Sequence, residues 1–312
     1  MFFTSGGSES TDSAIRLARA YQVAKGRPDR WKVVGRHPSY HGMTIGTMAV
    51  GSHSARQKGF EPLLLPFPKV PWNDPEAMVR IIEEEDPATI AGFIAEPITG
   101  AAGACLTASD EYWRAVTETC NRHDILLIAD EVMTGYGRTG RKFGHQHFPF
   151  SPDVIVGGKG LGGGYVPLGA VAARTEVAEA LRTNGFMYFT FSGNDVCCAA
   201  AVAVLDILER ESLVDRVAEI GPVLEQRLRS GVGDHPLVSD IRGRGLFWGI
   251  EVGCNRDVLV AAALERDLWI YPAGSGPVAN AVMLAPPFVV TEAEIDQIVA
   301  TLRTALDAVA PG

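Results

Sequence analysis

The chain has 312 residues, of which 46% are hydrophobic and 21% charged, a composition typical of a globular protein with one large domain or two moderate ones. Its formal net charge of −9 argues against nucleic acid or an anionic membrane as the main partner. Because no stretch of about 18 apolar residues occurs, we predict no segment that spans a membrane.

The cysteines show neither a CxxC spacing nor a Cys/His pattern, so we predict no metal site. We expect all of them to be buried free thiols in a reducing compartment: Cys105, Cys120, Cys197, Cys198 and Cys254. The first residues, MFFTSGGSES, contain no basic segment and no long apolar run, which argues against a signal peptide. The expected location is the cytoplasm.

The chain opens on FTSGGSESTDSAIRLAR (3–19), where small, hydroxylated and glycine residues lead into a helix. We predict this helix over 9–25, because apolar residues recur at helical spacing from Ala14 to Tyr21. A loop of this kind exposes backbone N–H groups at a helix start, and such a site suits an anion.

Apolar runs and helical patterns then alternate along the next part of the chain. We predict strands over 32–36, 90–96, 125–130, 153–158 and 168–174, and helices over 75–86, 109–123 and 194–210. The strand segments are apolar throughout, as expected of strands covered on both faces. This α/β alternation predicts a mainly parallel sheet covered by helices, with ligands at the carboxyl ends of its strands.

The pattern changes near residue 210, where we place a domain boundary. The segments that follow are a helix predicted over 212–230, the stretch LVSDIRGRGLFWGIEV over 237–252, a helix predicted over 256–267, strands at 268–271 and 282–285, and a helix over 291–309. Strands paired with covering helices predict a smaller α+β domain over 211–312, beside a large domain over 1–210.

LLIADEV (126–132) puts Asp130 at the end of an apolar strand. A carboxylate there is costly unless it meets a cation or a hydrogen-bond donor. Taken alone, this pattern favours a helix cap or a salt bridge to an arginine such as Arg138.

VIVGGKGLGGGYVPLGA (154–170) puts Lys159 after another apolar strand, among glycines that let a flat or bulky group come close. A lysine whose pKa is lowered by burial is a nucleophile toward carbonyl carbons. The frame is not a Walker motif, because Gly160 follows the lysine. A flexible surface turn is disfavoured, since apolar segments flank the lysine closely.

An anion loop, an acid and a lysine at neighbouring strand ends are what pyridoxal phosphate requires. Its phosphate accepts hydrogen bonds from backbone N–H groups, its ring nitrogen pairs with a carboxylate, and its aldehyde reacts with a lysine.

The chain resembles the class-III pyridoxal-phosphate aminotransferases of fold type I, and in pattern most of all the ω-amino acid/amine:pyruvate aminotransferases. The resemblance runs from end to end through FFTSGGSESTDSAIRLAR (2–19), SYHGMT (39–44), AEPITGAAG (95–103), LLIADEVMTGYGRTG (126–140), PDVIVGGKGLGGGYVPLGAV (152–171), TFSGND (190–195), IRGRGLFWGIE (241–251) and LAPPFVVTEAEID (284–296).

The resemblance implies that Lys159 holds pyridoxal 5'-phosphate as an aldimine and moves a proton between the substrate and the cofactor. It implies that Asp130 pairs with the pyridine nitrogen, and that Val132 and Tyr40 pack on the two faces of the ring.

By the same resemblance, Gly7 and Ser8 hold the phosphate. Thr190 reaches the phosphate of the neighbouring subunit, so a homodimer with shared active sites is implied. His41 either lines the site or has a packing role.

Other polar residues are expected to support the site. Glu96 is expected to form hydrogen bonds beside it, and structural salt bridges are expected for Arg138, Arg242 and Arg244.

The implied reaction is ping-pong transamination from an amine or amino acid donor to a 2-oxo acid, with pyruvate as the expected acceptor. Two alternatives stay open: an aminomutase or a decarboxylating aminotransferase on the same scaffold, and a truncated protein without catalytic activity. The second arises because family members carry a further N-terminal region ahead of the segment that begins at Met1.

At two positions this chain differs from family members in ways that affect the expected substrate. Many family members place an arginine shortly before the PP motif to bind a substrate carboxylate, but this chain has no Arg or Lys between Leu268 and Pro287. The carboxylate is then held elsewhere, or the pocket favours amines with little negative charge. Ala101 stands where ornithine- and 4-aminobutyrate-type members have a glutamate, which argues against those substrates.

Overall fold

The structure, a computed structural model, describes residues 1–184 and 187–309. Its strands are β1 (Phe2–Thr4), β2 (Lys32–His37), β3 (Lys69–Pro71), β4 (Ile90–Ala95), β5 (Ile98–Thr99), β6 (Leu106–Thr107), β7 (Leu126–Asp130), β8 (Val154–Gly157), β9 (Gly169–Ala173), β10 (Val238–Arg244), β11 (Phe247–Val252), β12 (Tyr271–Ala273) and β13 (Ala281–Leu284). Its α-helices are α1 (Gly7–Ala24), α2 (Ile45–Val50), α3 (Ser54–Gln57), α4 (Pro75–Glu84), α5 (Asp110–His123), α6 (Thr175–Ala178), α7 (Leu181–Asn184), α8 (Asp195–Arg210), α9 (Leu213–Val232), α10 (Arg256–Leu264) and α11 (Glu292–Asp307).

The larger sheet has seven strands in the order β1–β9–β8–β7–β4–β2–β3. Strands β8, β7, β4, β2 and β3 pair in parallel, and β9 runs antiparallel to both β8 and β1. Only β9 is therefore reversed, which confirms the prediction of a mainly parallel α/β sheet.

Helices cover both faces of this sheet, and β7 shows why its strands are apolar throughout. Leu126 and Ile128 pack in a core with Leu17 of α1. Leu127 and Ala129, which point the other way, pack in a second core with residues of α4 and α5. Every residue of a strand in such a sheet meets a covering helix, so no polar face remains.

The second sheet is fully antiparallel, in the order β10–β11–β13–β12. Helices α9, α10 and α11 pack against it around a separate core that includes Leu228, Trp248 and Leu302. All buried members of that core lie between Val217 and Val309.

The predicted strand at 268–271 is wrong for its first three residues. Helix α10 ends at Leu264, three residues earlier than predicted, and the chain turns through Asp267, whose φ is +61°. Pairing with β13 begins only at Tyr271. Strands β1 and β3 were not predicted, because three residues are too few for a periodic pattern.

The expectation of five buried thiols is also corrected. All five cysteines are free, but Cys197 and Cys198 are only half-buried on α8. Ala201 is the one fully buried residue of that helix within the described chain, so its other side chains keep solvent contact.

The helices within the described ranges include none with the length and apolar character needed to cross a membrane.

Candidate active site

The start of α1 lies against the end of β8. The helix begins at Gly7, and the preceding Gly6 offers the N–H groups of its first turn no side-chain hydrogen-bond acceptor. Ser10 Oγ donates to the Gly157 carbonyl at 3.0 Å and lies 2.7 Å from Thr4 Oγ1. These contacts fix the helix start, with its partial positive charge, beside the turn that follows β8.

Asp130 ends β7 and has two hydrogen-bond partners. Its Oδ2 lies 2.7 Å from His41 Nδ1, and its Oδ1 accepts the Val132 N–H at 3.1 Å. The His41 and Asp130 side chains are 0% and 5% exposed. The partner of Asp130 is therefore a buried histidine and not Arg138, so His41 is part of the site.

The three arginines expected to form salt bridges behave differently. Arg242 pairs with Asp240 and Glu251 as expected. Arg138 instead donates to the Pro286 carbonyl at 2.6 Å and stacks on an aromatic ring, and the described residues offer Arg244 no ion pair.

Lys159 follows β8 in a short 3-10 turn, with a φ of +39°. Left-handed backbone is unusual for a residue with a side chain and is often found at functional sites. Burial lowers the pKa of the Lys159 ammonium, while the nearby carboxylates of Asp130 and Glu96 oppose that shift. The lysine therefore reaches its neutral, nucleophilic form more easily than a solvated one.

A cavity of about 140 Å³, the inner cavity, collects these groups. Its lining is Gly7, Ser8, Tyr40, His41, Gly42, Glu96, Asp130, Val132, Met133 and Lys159. Seven of the eight predicted site residues therefore lie together. Thr190 does not line it, and belongs to the turn that precedes α8.

Glu96 and Arg36 hold the loop that carries Tyr40. The Glu96 carboxylate accepts the N–H groups of Tyr40 at 3.0 Å and Gly100 at 2.8 Å, as its expected supporting role requires. Burial raises the pKa of Glu96. The fully buried Arg36, which carries no sequence signal, donates to the Glu96 carbonyl and to Thr99 Oγ1.

An adjoining cavity of about 560 Å³, the outer cavity, shares Tyr40, Met133 and Lys159 with the inner one. Its remaining wall is mostly apolar and aromatic and includes Trp269 and Tyr271. The remaining lining residues are Arg56, Ala101, Leu268, Met283, Leu284, Ala285, Pro286, Pro287 and Ile298.

Lys159 and Asp130 were predictable from the sequence, but Arg56, Trp269 and Tyr271 were not, because they belong to no motif. The two cavities join an amine nucleophile, a hydrogen-bonded carboxylate and uncapped N–H groups to a mainly apolar chamber. Such an arrangement suits a flat anionic cofactor and a small organic substrate.

Comparison with known proteins agrees with this description. A family model for class-III aminotransferases matches residues 1–306. The chain is 37% identical to an acetylornithine aminotransferase of Caldanaerobacter subterraneus, over 95% of this chain and 73% of the relative. It is 33% identical to a putrescine–pyruvate aminotransferase of Pseudomonas aeruginosa, over 98% and 73%.

Solved structures give the same result. An aminotransferase of Bacillus anthracis superposes with a TM-score of 0.93 at 36% identity, covering 99% of this chain and 76% of that chain. A thermostable (S)-enantioselective ω-transaminase of Thermomicrobium roseum gives 0.90 at 34% identity, covering 98% and 74%.

Fold and site thus define an enzyme of the transaminase type. The chain belongs to the class-III aminotransferase family.

Proposed function

We propose that this chain binds pyridoxal 5'-phosphate in the inner cavity and transfers an amino group from an amine or amino acid to a 2-oxo acid such as pyruvate. The mechanism would be ping-pong: the donor reacts and leaves first, and the 2-oxo acid then reacts at the same site. The observation that carries the proposal is that Lys159, the Asp130–His41 pair and the uncapped start of α1 line one cavity.

The residues fit the three functional groups of this cofactor. The N–H groups at Gly7 and Ser8 offer donors and a favourable helix dipole to its phosphate. Asp130 offers a carboxylate to its ring nitrogen, and Lys159 offers an amine to its aldehyde. We call the phosphate site at Gly7 and Ser8 the cradle. A Cβ on Gly42 would lie 2.5 Å from Ser8 Oγ, so the cradle has no room for a side chain at Gly42.

When bound, the cofactor supplies an electron sink for the bond that breaks at the substrate carbon. Asp130, held by His41 and the Val132 N–H, would keep a proton on the ring nitrogen. Lys159 Nζ would take a proton from the substrate α-carbon and deliver it to the cofactor. Tyr40 and Val132 would cover the two ring faces and exclude water.

We also propose a homodimer in which Thr190 serves the partner subunit's site. Support comes from large apolar side chains that are exposed in the single chain around Thr190 and along α8, namely Tyr165, Phe191, Val196, Val202 and Leu205. Their exposed fractions range from 41% to 85%, as expected for a surface that a partner covers.

Two further proposals concern organisation and location. A domain boundary near residue 210 is supported by the separate core of the second sheet, whose buried members begin at Val217. A cytoplasmic location is supported by five free cysteines, since thiols persist in reducing compartments.

The experiment is an absorption spectrum of the purified chain with pyridoxal phosphate, before and after an amine donor is added. We expect a visible band that shifts with the donor, and stoichiometric conversion of pyruvate to alanine in turnover. No band, or a band that no amine alters, would overturn the proposal. Product without an acceptor would indicate a mutase, and release of carbon dioxide would indicate decarboxylation.

A further inference from the structure

The outer cavity contains a cation with no role in the chemistry described above. Arg56, on α3, lies with its guanidinium carbon 4.4 Å from the centroid of the Tyr40 ring. Its Nη2 donates to Tyr271 Oη at 2.8 Å. The guanidinium is thus held in place by two aromatic residues of the cavity wall.

Both ends of the short α3 are anchored. The Ser54 N–H donates to Ser275 Oγ at 3.1 Å, and Ser275 is buried. Gln57 Nε2 donates to the carbonyls of Met48 and Gly51. Arg56 is therefore presented to the cavity from a fixed backbone, so its fork is oriented before any ligand arrives.

The described residues do not neutralise the charge of Arg56. Within 1–184 and 187–309, no carboxylate forms an ion pair with the half-buried Arg56 guanidinium, which contacts the Tyr40 ring, the Tyr271 hydroxyl and the Met43 sulfur. Cation–π contact offsets only part of the cost of a partly desolvated charge. An anion from solution would supply the opposite charge that Arg56 lacks among these residues.

Arg56 also stands at the place where a substrate anion would be. It lines the outer cavity together with Lys159, and these are its two cationic lining residues in the described structure. The two charges are close enough that Arg56 contributes to lowering the pKa of Lys159. The wall from Leu268 to Pro287 carries no Arg or Lys that could serve instead.

We propose that Arg56 binds the carboxylate of the 2-oxo acid acceptor, and of an amino acid donor, while the reacting carbon lies at Lys159. The guanidinium would bind the two carboxylate oxygens as a fork, and the Tyr271 hydroxyl would orient it. This inference rests on the proposed transaminase function. The expected acceptors are short 2-oxo acids with apolar side chains, because the rest of the cavity wall is mostly apolar and aromatic and includes Trp269 and Met283.

The test compares substrates that differ in the carboxylate alone. The full chain loaded with pyridoxal phosphate is assayed with pyruvate plus isopropylamine and, in the reverse direction, with acetone plus L-alanine. Acetone and isopropylamine carry a methyl group where pyruvate and L-alanine carry the carboxylate. The variants are Arg56→Gln and Arg56→Lys. The control is Lys58→Gln, which removes an exposed cation two residues away that lines neither cavity.

We expect Arg56→Gln to raise the KM for pyruvate and for L-alanine by about 10- to 100-fold, the usual size of one charged hydrogen-bond pair. The KM values for acetone and isopropylamine should change less than about twofold, and Arg56→Lys should give an intermediate KM for the acids because a point charge replaces the fork. Inhibition by propanoate, an unreactive carboxylate, should weaken in parallel. Lys58→Gln should resemble the wild type.

Equal losses for acids and neutral substrates, or an unchanged pyruvate KM in Arg56→Gln, would overturn the role of Arg56 while leaving transamination intact. A wild-type chain that forms no visible cofactor band would overturn the proposed function and this inference with it.

Discussion

The contact between His41 and Asp130 gives a prediction whose size follows from the structure. Replacing His41 with alanine removes one of the two hydrogen bonds that Asp130 accepts, the one at 2.7 Å, and leaves the bond from the Val132 N–H. Both side chains are buried, so water cannot readily replace the lost donor. A hydrogen bond to a charged group contributes about 1.5–3 kcal/mol.

If that contribution acts on the transition state, His41→Ala slows the donor half-reaction by about 10- to 150-fold. The assay is stopped-flow absorbance of the cofactor-loaded protein with an amine donor. His41→Asn, which keeps an N–H donor, should recover part of the rate. Asp130→Asn should be slower than either by at least about tenfold, because the ring nitrogen then faces no carboxylate.

The double variant decides whether His41 acts through Asp130. If it does, His41→Ala combined with Asp130→Asn is no slower than Asp130→Asn alone, as expected for residues that form one unit. Urea unfolding of each variant without cofactor checks that the fold survives. Fully additive losses, or a normal rate in His41→Ala, would refute this reasoning.

Two other predictions concern the cradle and the pH dependence of stability. Gly42→Ala should weaken pyridoxal phosphate binding at least about tenfold in a spectroscopic titration, because Gly42 has a φ of +139° and its Cβ would lie 2.5 Å from Ser8 Oγ. Gly6→Ala is the matched control, since its Cβ would meet nothing within 4 Å; equal affinities of the two variants would contradict the steric account. Burial, with repulsion from Arg244 and Arg141, lowers the pKa of His147 from 6.5 to about 4. The unfolded chain therefore binds a proton that the folded chain does not, and stability is lost as the pH falls from 6.5 to 4. Discounted by about half for partial exposure, at about 1.36 kcal/mol per unit, the loss is about 1–2 kcal/mol. His147→Gln should remove it from urea unfolding measured at several pH values, and parallel curves for the two proteins would exclude His147 as the cause.

The main chemistry was predictable because strand ends are visible in sequence. Asp130 and Lys159 each follow an apolar run, and parallel strands bring such ends to one edge of the sheet. Their proximity in the inner cavity therefore follows from local patterns and one topological rule.

The outer cavity was not predictable in the same way. Arg56 and Tyr271 are 215 residues apart and meet because α3 is anchored on a loop of the second sheet. Helix α3 has four residues, too few for a periodic signal. The segment at 268–270 was misassigned because its apolar composition also suits the wall of a cavity.

The proposed function depends on a covalent bond between Lys159 and the cofactor, which can be detected by trapping it. The chain is incubated with pyridoxal phosphate, reduced with borohydride, digested, and analysed by peptide mass spectrometry. A useful internal comparison is Lys69, a half-buried lysine whose pKa is also lowered, to about 8, but whose Nζ donates to two carbonyls. We expect a pyridoxyl group on Lys159 alone and none in Lys159→Ala. Labelling of Lys69 in place of Lys159, or undiminished labelling in Lys159→Ala, would contradict it.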